Sequence, residues 1–249
     1  MLTDKIYKNY KTFFLLIIAI LFGDTIFYGY TNDDHALVNF EFSNLFKESS
    51  YITNFRPLWW LSYSITNLFF HSSHFDHLIN LILFFINLNL AFYLLNNKFG
   101  KKIAIYSLLI WITIPWQTHQ ISWISQRNDL LMNFFFFISL IYLEKKNYNL
   151  SLFYSSLAFL SKVTCLFFPL FFCFKGFLEK NKKLIFFGIL IFVLSFLLSL
   201  YSWNLGHPEA DYLKNSSILL KLLNHIKNWV LTWPLIFLPI PFFVNFFHF

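Results

Sequence analysis

Charge is what this sequence has least of. Lysine, arginine, aspartate and glutamate make up 12% of its 249 residues, where a soluble domain carries about 25%. A water-facing surface built from so few charges would leave large apolar patches bare and would aggregate. With 57% hydrophobic residues and 37 Phe, most of the surface has to face lipid. Cysteine is scarce as well. Cys165 and Cys173 lie eight positions apart in one apolar run, roughly 12 Å along a helix axis, too far to bridge. They read as packing residues and say little about redox compartment. No Gly/Ser-rich linker and no internal repeat divides the chain, so residues 1–249 read as one integral membrane domain. Nor does a small-x-small cleavage site follow the first apolar run. Despite Lys5, Lys8 and Lys11 ahead of it, that run reads as an uncleaved first span.

Apolar length is what the chain does have. A membrane-crossing helix needs about 20 apolar residues, and candidates lie at 12–30, 75–95, 103–115, 130–143, 150–160, 163–174, 184–203 and 229–249. The expected fold is an all-α polytopic bundle of about seven or eight spans. The short pair flanking Lys162 is readable as a re-entrant hairpin, tolerated in lipid only where other protein covers it. The long segment after the first span has an amphipathic stretch at Phe40, Phe42, Leu45 and Phe46, expected to lie along the membrane surface. Arg56-Pro57-Leu58-Trp59-Trp60 opens a second aromatic segment at interfacial depth.

The net charge of +7 is not grouped on one face, which argues against nucleic acid. With the N-terminus cytoplasmic, 12 of the 19 cations fall in short inner links, as the positive-inside rule requires. All eight histidines and most acidic residues then fall on the extracytoplasmic side. One face is simple and basic; the other holds groups capable of chemistry.

Four places stand out there. Asp33-Asp34 is either a general base with its supporting neighbour or a solvated turn. Arg127 and Asp129 open a Phe-rich span, where the arginine either holds a phosphate or pairs with the aspartate at the helix start. Lys162 sits between two apolar runs and calls for an anionic ligand, an acidic partner such as a first-loop aspartate, or a route to the interface. His71, His74 and His77 are spaced three apart and would share a helix face, more as a polar cluster than as a metal site.

In order, these segments resemble the GT-C fold polyprenyl-phosphate-sugar-dependent glycosyltransferases. The nearest branch is that of the transmembrane-and-tetratricopeptide O-mannosyltransferases and related bacterial membrane proteins. The resemblance rests on Asp33-Asp34, on Arg56-Pro57-Leu58, on His77-Leu78-Ile79-Asn80 and on Leu160-Ser161-Lys162. Its most specific piece is Pro115 followed by Trp123-Ile124-Ser125-Gln126-Arg127-Asn128-Asp129-Leu130-Leu131. It spans residues 12 to about 170. Around the proline the chain departs from the family's His-Pro-x-His-x-Glu, with Ile114, Gln117 and His119 in those places, and Val163 stands where a Glu often follows the lysine.

The resemblance implies a sugar moved from a polyprenyl-phosphate donor to an extracytoplasmic hydroxyl on protein, lipid or glycan, in a bacterial inner membrane. Asp33 or Asp34 would be the base. Arg127, Lys162 and, more weakly, Arg56 would bind the donor phosphate, with Asp129 and His77 in support. No cofactor is called for, though a divalent metal stays open. Against that family the chain stops early, so it reads as truncated, as degenerate, or as one half of a complex whose partner chain supplies further helices. The rival readings are a non-catalytic partner of such an enzyme and a transporter or flippase of lipid-linked sugars.

Overall fold

The computed structural model describes residues 9–31, 34–35, 56–162 and 167–206. Asp33, the amphipathic stretch at 40–46, Cys165 and the last apolar run lie outside them. The described residues are helical, with no strand among them. Helix α1 (Tyr10–Phe22) runs on into a 3-10 turn at Gly23–Phe27. It is followed by α2 (Pro57–Phe69), α3 (Ser73–Phe99), α4 (Lys101–Thr113), α5 (Pro115–Ser122) and a 3-10 turn at Ile124–Gln126. Then come α6 (Arg127–Glu144), α7 (Tyr148–Ser161), α8 (Phe167–Leu178) and α9 (Lys182–Gly206).

Among the described residues two stretches, Tyr10–Phe27 and Ser73–Phe99, are long and apolar enough to cross a membrane. The helices flanking Lys162 are shorter, at 14 residues for α7 and 12 for α8. The exterior stays apolar along much of the chain: Ile20 is 80% exposed, Leu68 76% and Phe177 74%.

Helix α3 is the axis of the fold. Phe84 and Leu88 are fully buried between Phe14, Ile18 and Phe22 of α1 and Ile105, Leu108 and Ile112 of α4. Helices α6 and α7 approach closely because serines face each other. Ser139 donates to the Ser151 carbonyl at 2.7 Å, and Ser151 donates back to the Ser139 carbonyl at 2.8 Å. Helices α8 and α9 meet at glycines instead. A Cβ at Gly188 would lie 2.6 Å from Cys173 Sγ and 2.9 Å from the Pro169 carbonyl oxygen. Small residues at such crossings are how apolar helices pack without bulky side chains between them. Cys173 is accordingly a packing residue, its thiol against the Ile185 carbonyl at 3.7 Å.

Three helix-to-helix turns gather at one end of the bundle. Each contains a residue at positive φ: Gly100 (φ 81°), Lys146 (φ 58°) and Lys180 (φ 53°). Lys98 pairs with Glu144 at 3.1 Å, joining the first two turns, and Tyr148 donates to Glu179 at 3.0 Å, joining the second and third. Lys98, Lys101, Lys102, Lys145, Lys146, Lys180, Lys182 and Lys183 all belong to this end. The opposite end holds the start of α3, the start of α6 and the end of α7, and with them nearly all the described polar chemistry.

The aromatic segment after Arg56 packs into the fold on one side. It forms α2, begun by Pro57, whose fixed φ suits a first helical position. Trp59, Trp60 and Tyr63 are buried with Ile124, while Leu68 and Phe69 on the other side stay bare.

Candidate functional site

The site is organised by a break in the chain between α5 and α6. Ile114 is extended because a proline follows it, and Pro115 starts a helix only eight residues long. Trp123 is extended again, and a single 3-10 turn precedes Arg127. Such a break leaves backbone groups without helical partners, and buried backbone groups need partners. Side chains from three other elements supply them. Tyr63 of α2 donates its hydroxyl to the Ile124 carbonyl. Asn80 of α3 donates to the carbonyls of Trp123 at 3.2 Å and Ile124 at 3.5 Å. Asp34 accepts from the Ser125 N–H at 2.8 Å.

Asp34 is therefore occupied. Only 1% exposed, it uses its second oxygen to accept from the Thr31 N–H and the Thr31 hydroxyl, each at 3.2 Å. It ties the end of the first helical segment to the α5–α6 break.

Arg127 is fully buried, and each of its guanidinium nitrogens has a protein partner. Nε donates to Asn80 at 3.0 Å and one Nη to Thr66 at 3.4 Å. The other Nη meets the Asp76 carboxylate at 2.5 Å and the Asp76 carbonyl at 3.2 Å. The guanidinium also lies 4.1 Å from the centre of the Tyr63 ring. Burial pushes the Tyr63 phenol up, with Arg127 pulling the other way, so Tyr63 stays a neutral donor. Asp76 is closed off in turn by the hydroxyls of Tyr30 at 3.1 Å and Thr66 at 3.3 Å. Arg127 thus holds three helices together, α2, α3 and its own α6. Its acidic partner is Asp76, not the nearby Asp129 expected at the helix start.

Asp129 pairs instead with Lys162, at 2.5 Å. The partner expected for Lys162 in the first loop is thus replaced by one on α6. The pair is less enclosed than the first: the lysine side chain is 16% exposed and the aspartate 5%. The second Asp129 oxygen has no hydrogen-bond partner among the described residues. His119 of α5 lies near both charges, its ring 4.3 Å from that of Trp123. Burial holds the His119 imidazole below its ordinary pKa, with Asp129 pulling up and Lys162 pulling down.

Of the other expected residues, His77 is buried on α3, its ring 6.2 Å from that of Tyr28. Arg56 stands at the start of α2 with its guanidinium 5.3 Å from the Trp59 ring. Of the three histidines, His74 and His77 lie on α3. His74 contacts the Ile26 carbonyl at 2.6 Å, and His71 precedes α3 rather than lying on it. Among the described residues no group of three histidine, cysteine or acidic side chains could hold a metal.

Asp76, Thr66, Tyr63 and Tyr30 were not singled out from sequence, and Asn80 appeared only within a motif. A signal existed: Asp76 and Asn80 are four apart, which puts them on one face of α3. The charge that they answer lies 47 to 51 residues further along. No family model, no curated protein and no solved structure matches the chain.

Proposed function

We propose that this chain is a multi-pass membrane glycosyltransferase of the GT-C type, taking a sugar from a polyprenyl phosphate to an extracytoplasmic hydroxyl. The observation that carries the reading is the Asp34–Ser125 hydrogen bond, 2.8 Å across 91 residues of sequence. It places the segment that ends in the acidic pair against the most specific motif of the family resemblance. Around that contact lie the other pieces of the resemblance: the start of α2, Asn80 and Lys162. Residues scattered over more than a hundred positions share one end of the bundle, opposite the lysine-rich turns. On the positive-inside rule the lysine end is cytoplasmic and the polar end extracytoplasmic. The apolar exterior and the two long apolar helices suit a bilayer.

Roles follow from the resemblance and from what the described groups still have free. Asp34 spends both oxygens on the fold, so Asp33 is the base that takes the acceptor's proton. Lys162 carries three donors and gives one to Asp129, leaving two for the departing lipid phosphate. Asp129 aims the ammonium, and Arg127 holds the backbone from which Asp129 projects. The test is sugar transfer from a radiolabelled polyprenyl-phosphate sugar to endogenous acceptors in membranes. Loss in Asp33→Asn with unchanged folding supports the assignment; full activity there overturns it.

The burial of Arg127 among protein partners favours a second reading, a non-catalytic partner chain. An arginine that bonds within the fold through every guanidinium nitrogen serves a structural protein equally well. A folded wild type that neither binds nor transfers the sugar selects that reading.

A further inference from the structure

The opposite end of the bundle holds a separate cavity. It measures about 390 Å³ and lies among α3, α4, α6 and α8, within the range of roughly 300–1,000 Å³ usual for small-ligand sites. Its walls are apolar, with Leu95, Leu108, Trp111, Phe137, Leu140 and Phe171 among them. Three charged side chains line its edge: Lys98, Lys175 and Glu144. None of the expected site residues lines it.

We propose that this cavity binds one anionic phospholipid, an acyl chain among the apolar walls and the phosphate between Lys98 and Lys175. Charge complementarity selects the occupant. Lys98, Lys175 and Glu144 line the rim with Glu179 beside Lys175, and the lysines of all three turns add positive charge at this end. Lys98 is 56% exposed, so its ammonium reaches solvent while still pairing with Glu144. The pair between Lys175 and Glu179 is long, at 3.8 Å, and yields readily to a phosphate oxygen. A zwitterionic headgroup adds a cation beside two lysines and loses that advantage. Lysines next to a membrane-embedded pocket are how proteins recognise anionic lipid on the cytoplasmic side. A bound lipid would also fill the gap between the α3–α4 pair and α8, where helix contact is otherwise thin.

This inference rests on the membrane reading and is independent of sugar transfer. The experiment is native mass spectrometry of the full chain released from detergent, after adding phosphatidylglycerol and phosphatidylcholine of identical acyl chains. Detergent-dependence of the chain is established first, so failure of the membrane reading is seen separately. Wild type is expected to retain phosphatidylglycerol severalfold over phosphatidylcholine. Lys98→Gln/Lys175→Gln is expected to abolish the preference, and Leu140→Trp to lower retention of both lipids. Equal retention by wild type, or a preference undiminished in the double lysine variant, overturns the proposal. The lysine variant alters two rim groups, Lys98 exposed and Lys175 partly so, and decides the matter even where Leu140→Trp misfolds.

Discussion

Arg127 and Asp76 form an ion pair of 2.5 Å in which the arginine side chain is fully buried and the aspartate 4% exposed. Such a pair adds little beyond a well-packed apolar substitute, but removing one partner strands a charge. Arg127→Ala and Asp76→Ala are each expected to cost about 3–5 kcal/mol. Arg127→Lys is expected to recover little, because one ammonium cannot reach Asn80, Thr66 and Asp76 together. Thermal unfolding in detergent measures all three, and a stable Arg127→Ala would show that the pair is dispensable.

Asp33 and Asp34 are expected to separate by phenotype. Asp34→Asn weakens three hydrogen bonds to a carboxylate and should lower stability by about 1–3 kcal/mol. Asp33→Asn should leave unfolding unchanged and remove transfer. The two are compared by melting and by product formation in the same membranes; a stability loss in Asp33→Asn instead would reverse the roles.

For Lys162 the fold and the ligand can be told apart. Lys162→Met leaves Asp129 uncompensated and should lower both stability and donor binding. Adding Asp129→Asn should restore stability without restoring binding of a polyprenyl-phosphate sugar. Recovery of binding in the double variant would remove Lys162 from the phosphate site.

His119 supplies a pH dependence. Its pKa in the fold lies below the ordinary value of about 6.5, so the unfolded chain binds more protons than the folded one between those two values. Stability is therefore whole above about 6.5 and declines as pH falls through that window. His119→Gln should flatten this part of the curve, followed as melting temperature from pH 7.5 to 5. A profile identical to wild type would place the effect elsewhere.

At the α8–α9 crossing, Gly188→Leu should force the helices apart, since even a Cβ comes within 2.6 Å of Cys173 Sγ. Overpacking of this kind costs about 1–3 kcal/mol. In a Cys165→Ser background, alkylation of Cys173 should quicken in the variant. An unchanged rate would mean that the hairpin absorbs the leucine.

The lesson of the charged residues is that their positions were legible and their partners were not. Asp129 and Arg127 are two apart, which made a local pair the economical expectation. On a helix, residues two apart point to different faces. One face of α6 turns toward α3 and finds Asp76; another turns toward the end of α7 and finds Lys162. The same reasoning covers Asp34, whose partner Ser125 lies 91 residues along the chain, out of reach of any local reading.

Hydropathy and lysine placement are properties of the chain read in order, and they determined by themselves the helical architecture and its two unlike ends. Backbone groups in an apolar setting must bond within their own segment, so long apolar runs become helices whatever their neighbours are. Ion-pair partners, the closed environment of Arg127 and the cavity beside Lys98 and Lys175 were decided only by tertiary structure. They depend on which faces of which helices meet, and a shift of one residue in helical phase turns a side chain by about 100 degrees.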